Sequence, residues 1–297
     1  TLTSINRMGA LLRTQGKLSE AEPYFREALA GRRRVLGDDH PSTLTSINNM
    51  AVLLNAQGKA AEAEPYYIET LEGSRRVLGD DHRDTLDSIN NMGAFLHAQG
   101  KLAEAETYWL EALERSRRVL GAEHPGTLRA MNSMGVLRND QKRPAEAEAH
   151  HRQALEGRRR VLGDDHPDTL SSMSGLGAVL RELGRLDEAD ALGGEAVQRG
   201  RTALGEGRWL FGVVLGQHAR TLAAMGRFAD AEARGLEAHA LLEKNLGAQH
   251  ARTRGAAEAL AAIYAAWHEA EPGAGRDAKA EEWRAKQKAA ADAGAGR

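Results

Sequence analysis

The sequence predicts an all-α protein made of a row of helical hairpins, and three observations predict it. First, one phrase returns every 42 residues: residues 43–50 read Thr-Leu-Thr-Ser-Ile-Asn-Asn-Met, 85–92 read Thr-Leu-Asp-Ser-Ile-Asn-Asn-Met, and 127–134 read Thr-Leu-Arg-Ala-Met-Asn-Ser-Met. Second, landmarks keep step with it. His40, His82, His124, His166 and His250 share one register, and Gly16, Gly58, Gly100, Gly184 and Gly226 share another, with Lys142 in its vacant place. Third, the apolar residues inside each period fall three and four apart, the spacing of an amphipathic helix. A fixed period of about 20–50 residues marks an array of repeats, which grows by adding units to one elongated core.

Residues 42–83 show how each period is built. Leu44, Ile47, Met50, Ala51 and Leu54 form the apolar stripe of a first helix. Pro41 suits its first turn, where the missing N–H is not needed. Gln57-Gly58-Lys59 breaks the pattern as a tight turn. A second helix follows, with Ala63, Tyr66, Tyr67, Leu71, Val77 and Leu78 on its buried face. It opens on Glu62 and Glu64 and closes on Arg75 and Arg76, both favourable to the helix dipole. Gly79 stops it, and Asp80-Asp81-His82 leads into the next copy. Carried along the chain, the pattern places hairpins at about 1–37, 42–79, 84–121, 126–163, 168–205 and 209–247.

The pattern decays toward the C-terminus. Gly-Glu-Gly-Arg-Trp-Leu-Phe at 205–211 replaces the Asp-Asp-His-Pro linker. An Ala-rich helix at about 251–268, a loop at 271–277 and a last helix near 278–291 carrying Trp283 make a degenerate hairpin, with 292–297 expected to fray. Terminal repeats need a polar outer face, so this reads as a cap over 251–291. Trp209 and Phe211 belong either to that closing core or to an anchor for a partner.

Gly58, Ala63 and Tyr67, preceded by Ala51 and Leu54, resemble the tetratricopeptide (TPR) signature, whose usual period is about 34 residues. The longer period, with Asn-Asn-Met-Ala, Gln-Gly-Lys, Glu-Ala-Glu-Pro, Arg-Arg-Val-Leu-Gly and Asp-Asp-His-Pro, resembles the kinesin-light-chain type of TPR. The resemblance covers 1 to about 205 strongly and 206–250 recognisably. It implies a right-handed α-solenoid of about six helix-turn-helix repeats plus the capping pair. It also implies a concave groove, lined by the first helices, that binds an extended peptide or protein segment. The start at Thr1 and the excess of Arg over Lys further suggest a piece of a longer bacterial protein. A rival reading follows from that: a regulatory sensor arm of a Ser/Thr kinase or a STAND-type NTPase. A self-assembly module using Trp209, Phe211 and Trp283 is another.

On the first helices, Asn6, Asn48, Asn90 and Asn132 hold one equivalent position. Seven residues on, two turns along the same face, stand Arg13, Asn55, His97 and Asn139. An asparagine offers two donors and two acceptor lone pairs, so it can grip a peptide bond at both N–H and C=O. With adjacent helices about 8–10 Å apart and an extended ligand advancing about 3.3 Å per residue, one asparagine meets roughly every third ligand residue. The competing explanation is that these asparagines bond neighbouring helices and hold the repeat geometry. The row becomes Ser174, Gly216 and Glu258 further on, which places the polar groove in repeats one to four. The variable positions Thr3, Thr45, Asp87, Arg129 and Ser171 would carry specificity. Arg13, Arg129, Arg181 and His97 suggest an acidic peptide.

Composition narrows the chemistry. Forty basic and 42 acidic residues leave a net charge of −2, which points to neither nucleic acid nor an anionic membrane. The absence of cysteine removes disulfides, thiolate catalysis and cysteine-bound zinc, and fits a cytoplasmic location. No apolar run reaches the roughly 18 residues of a membrane span. The Asp-Asp-His loops lie one per repeat, too dispersed for a metal site, and read as cap chemistry. His150 and His151 are neighbours on a helix and do not share a face. The triplets Arg32–Arg34 and Arg158–Arg160 sit at helix ends, where dipole and ion pairing account for them. No phosphate loop or nucleophile motif is present. The expectation is a non-enzyme without cofactor or metal.

Overall fold

The computed structural model describes residues 1–205 and 209–295, and among these the chain forms fourteen α-helices and no strand. They pair as hairpins: α1 (Leu2–Thr14) with α2 (Leu18–Leu36), α3 (Pro41–Ala56) with α4 (Ala60–Leu78), α5 (Arg83–Ala98) with α6 (Leu102–Leu120), and α7 (Pro125–Asp140) with α8 (Pro144–Leu162). Then follow α9 (Pro167–Glu182) with α10 (Leu186–Ala203), α11 (Trp209–Ala224) with α12 (Phe228–Leu246), and α13 (Ala251–Ala270) with α14 (Arg276–Ala295). Two differences from the sequence reading stand at the C-terminus. The last helix opens at Arg276 and remains helical through 292–295, positions expected to fray, because its alanines are strong helix formers. Residues 296 and 297 lie outside the described residues, as do 206–208 of the atypical linker.

Each junction is fixed by local chemistry. At His40, His82, His124, His166 and His250 the imidazole takes the place of the usual hydroxyl or carboxylate cap. Its Nδ1 accepts the backbone N–H two residues on at 3.1 Å in every copy. Inside each of the first six hairpins the turn needs one left-handed residue. Gly58 supplies it with φ of 79°, whereas Lys142, in the vacant glycine slot, is held at φ of 61°.

Packing divides the chain into two compact units, Thr1–Gly157 and Arg158–Arg297, with the division inside α8. In the first unit Ile47, Met50, Leu53, Ile89, Met134 and Leu137 are almost wholly buried. Burying such a side chain contributes about 1.5–3 kcal/mol, and a hairpin alone cannot cover both faces. Rings from the second helix fill a slot opposite a small residue of the first. A Cβ built on Gly9 would lie 2.9 Å from Phe25, one on Gly93 2.5 Å from Trp109, and one on Gly135 2.8 Å from His151. His151 is thus a core ring, only 1% exposed.

Buried polar staples join successive hairpins. Arg32 is 6% exposed; its Nη1 donates to the Ser42 carbonyl and to Ser46 Oγ at 2.7 and 2.8 Å. Arg158 repeats the arrangement in the second unit, on the Asp168 carbonyl and Ser172 Oγ. The first arginine of each triplet is therefore a core bracket, a role that the dipole reading of the triplets did not foresee. The second arginine bridges second helices, Arg33 to Glu69 and Arg75 to Glu111 in the first unit, Arg159 to Glu195 in the second. The acidic loops answer in the same way: Asp39 pairs with Arg76, Asp81 with Arg115 and Arg118, and Asp165 with Arg199.

In the second unit Phe211 is 1% exposed, and Trp283 packs with Leu260 and Tyr264 in the terminal cluster. Trp209 is half-buried, with the Arg252 guanidinium 4.1 Å from its ring centroid.

Candidate binding face of the first helices

The asparagine phrase works as a doublet. The second asparagine of one repeat donates to the first asparagine of the repeat before: Asn49 Nδ2 to Asn6 Oδ1 at 3.2 Å, and Asn91 Nδ2 to Asn48 Oδ1 at 3.0 Å. Ser133 Oγ takes the donor's place opposite Asn90 Oδ1, at 3.5 Å. Asn132 Oδ1 instead faces Nδ1 of His151 at 3.2 Å. Each amide oxygen of the row therefore has a partner within the protein. Asn90 is only 6% exposed, and its backbone carbonyl accepts from Trp109 Nε1. Asn6, Asn48 and Asn132 are half-buried.

The second row turns toward the rings of the second helices. Asn55 hydrogen-bonds the Tyr67 hydroxyl. Burial pushes that hydroxyl up to about 12, with Arg13 and Asn55 opposing the shift. Burial likewise lowers the Arg13 guanidinium from its ordinary value, against the nearby Tyr67. His97 lies 5.2 Å from the Trp109 ring, and its Nε2 meets Asp140 Oδ2 at 2.6 Å. Asn139 is half-buried on α7. Arg129 is exposed and paired with Asp87, so two of the variable positions neutralise each other across α5 and α7. Arg181 stands in the second unit, where its Nη1 lies 3.5 Å from Gln217 Oε1 on α11.

Between α3 and α5 the face opens into a cleft of about 130 Å³, closed behind by α4. Pro41, Thr45 and Asn48 line one wall, Asp84, Asp87 and Asn91 the other, and Thr70 and Ser74 the back. The cleft offers hydroxyls, amides and two carboxylates beside an apolar part formed by Pro41, Leu44 and Leu78. That is hydrogen-bonding equipment without a nucleophile paired to a base, and no cluster of metal-ligating side chains is found among the described residues. Asn49 and Asn91, the donors of the rungs, were missed by a reading that followed only the first asparagine. The doubled Asn-Asn at 48–49 and 90–91 was the available signal.

The tetratricopeptide repeat family model matches residues 1–67, 43–94, 84–159 and 132–201, more than half of the chain. The chain belongs to the tetratricopeptide repeat family. Several solved structures are similar in fold. A putative kinesin light chain from Podosopora anserina, described as having nearly identical TPR-like repeats, is 21% identical over 68% of this chain and 96% of its own, with a TM-score of 0.54. BtubC (BKLC) from P. vanneervenii is 18% identical over 81% of this chain and 91% of its own, with a TM-score of 0.57. A Rap protein complexed with competence and sporulation factor is 13% identical, covers 98% of this chain and 75% of its own, and has a TM-score of 0.77. No curated protein matches the sequence. None of the described helices of this TPR chain is long and apolar enough to cross a membrane.

Proposed function

We propose that this TPR array is a non-catalytic interaction scaffold that binds an extended peptide or protein segment along its first helices, mainly in repeats one to four. The observation that carries this reading is the cleft between α3 and α5, whose walls present paired amides and hydroxyls at the spacing of the repeat. The oxygens of Asn6, Asn48 and Asn90 hold the next repeat and that of Asn132 its own hairpin, so their contribution to a ligand falls to the amide hydrogens, each able to donate to a peptide carbonyl. Asn6, Asn48, Asn90 and Asn132 would read backbone, with Asn90 the least accessible. Arg13, Asn55, His97, Asn139, Arg129 and Arg181 would bias the choice of side chains toward acidic peptides. A preformed face of this kind loses little entropy on binding. A Rap protein of similar fold was crystallised in complex with competence and sporulation factor.

The test is a peptide-display screen followed by Asn48→Ala and Thr45→Arg. The first removes a donor and the second fills the cleft while leaving the rungs intact. Loss of about one to two buried hydrogen bonds weakens binding by roughly 5- to 150-fold. Full affinity of every selected peptide for the Thr45→Arg protein would place the ligand elsewhere.

A further inference from the structure

The helix entries at α3, α5, α7, α9 and α13 share an unusual dependence. Each is capped by an imidazole whose Nδ1 accepts the backbone N–H two residues on at 3.1 Å. A serine cap would hold that bond at any ordinary pH, and an aspartate cap at any pH above about 4. An imidazole holds it only while Nδ1 is unprotonated. Protonation turns Nδ1 into a donor, so the bond is lost and two N–H groups face each other. The new charge also lies at the positive end of the helix dipole. Both effects oppose the folded junction. Register position 208, before α11, is arginine, so that junction carries no imidazole.

The charges around the five rings differ. In the linkers before His40, His82 and His166 both aspartates are engaged by arginines of the flanking second helices. Asp38 meets Arg33 of α2 and Asp39 meets Arg76 of α4, and the other two linkers repeat the scheme. Glu123, before His124, has a partner too. On the capped helix, Asp84 Oδ2 stands 4.0 Å from His82 Nδ1, an acceptor that a protonated ring could turn to. Asp168 follows His166 in the same register, where His40 and His124 have Ser42 and Gly126. Around His250 the signs are reversed: Arg252 and Arg254, together with burial, lower its imidazole from the ordinary value.

We propose that these five imidazoles make the array an acid-responsive stack, closed at neutral pH and opened at its capped junctions by mild acid, α5 first and α13 last. A folded chain that keeps the rings neutral binds fewer protons than the unfolded chain below about pH 6.5, the ordinary histidine value. The stability supplied by the caps is therefore complete above about pH 7 and is lost as pH falls below that value. This device stands whether or not the first helices bind a peptide.

The experiment is amide hydrogen exchange on the full chain, in steps from about pH 7.5 to about pH 5.5 and corrected for the intrinsic rate. Protection in the first turns of α3, α5, α7, α9 and α13 should fall at least about tenfold. The first turn of α11 should change by less than about threefold over the same range. Asparagine caps as well as histidine does but does not titrate, so the variant with all five caps changed to asparagine should lose the response. If that variant fails to fold, His82→Asn alone should abolish the response at α5 and leave it at α3 and α7. Persistence of the α5 response in His82→Asn overturns the proposal, because it assigns the acid effect to the six histidines outside the caps. An equal loss at α11, or equal protection at both pH values, overturns it as well. A response that begins at α13 overturns the order.

Discussion

The slot between the two helices of a hairpin is filled differently in the two units. In the first, the second helix contributes its own ring, Phe25, Tyr67, Trp109 or His151, against a glycine or alanine of the first helix. In α10 and α12 of the second, the ring position is itself glycine, and the following repeat fills the space. A Cβ on Gly193 would lie 2.7 Å from His218 of α11, and one on Gly235 2.7 Å from Leu260 of α13. His218 is 8% exposed and anchored through Nε2 to Asp190 at 2.7 Å. At this slot the hairpins of the first unit use a ring of their own, whereas α10 and α12 of the second receive a side chain from the next hairpin. A repeat register can therefore outlive the residue types that began it, provided a neighbour supplies the missing volume.

The comparison can be tested by emptying each slot. Trp109→Ala should cost about 3–5 kcal/mol and open α5 and α6 first. His218→Ala should cost less and loosen the contact between α10 and α11, where Asp190 would lose a partner. Hydrogen exchange resolved by helix distinguishes the two, and equal protection loss across both units after Trp109→Ala would break the distinction. A smaller effect should come from adding volume. Gly93→Ala drives a methyl into the Trp109 ring and should destabilise by about 1–3 kcal/mol. Gly177→Ala meets nothing nearer than the Ala189 carbonyl at 3.9 Å. It should stabilise by about 0.5–1 kcal/mol through helix propensity. Denaturation midpoints of the two variants should move in opposite directions.

The smallest loss of stability should come from acid sensitivity in the first unit. Burial pushes the Glu22 carboxyl up, but hydrogen bonds from Gln57, Arg26 and Lys59 outweigh it and hold it at about 2. With a folded value below the unfolded one, this stabilisation is complete above about pH 4.5 and fades as pH falls toward 2. Removing it should cost about 1–2 kcal/mol after solvent screening. In Glu22→Gln that acid limb should flatten; an unaltered limb would assign the acid loss to other carboxylates.

The hairpins were legible in the sequence because their signals are local. Gly58 and its equivalents mark turns, the histidines mark starts, and the three-and-four spacing marks faces. Features set by packing between repeats were not. Arg32 looks like any helix-end cation until Ser46 is seen beneath it. The asparagine row was found, but its rungs to Asn49 and Asn91 depend on how far each first helix is rotated, which periodicity alone does not fix.

The histidine caps give the chain a property best stated spectroscopically. Each cap requires a lone pair on Nδ1, so each ring must carry its proton on Nε2. Five imidazoles, at His40, His82, His124, His166 and His250, are thereby locked in one tautomer by nearly identical geometry. Nitrogen-15 resonances of these rings would form a single class, and a ring whose cap opens would leave it. The molecule carries one native probe at each of these junctions, three in the first unit and two in the second. Which signal departs first on warming reports where along the stack unfolding begins.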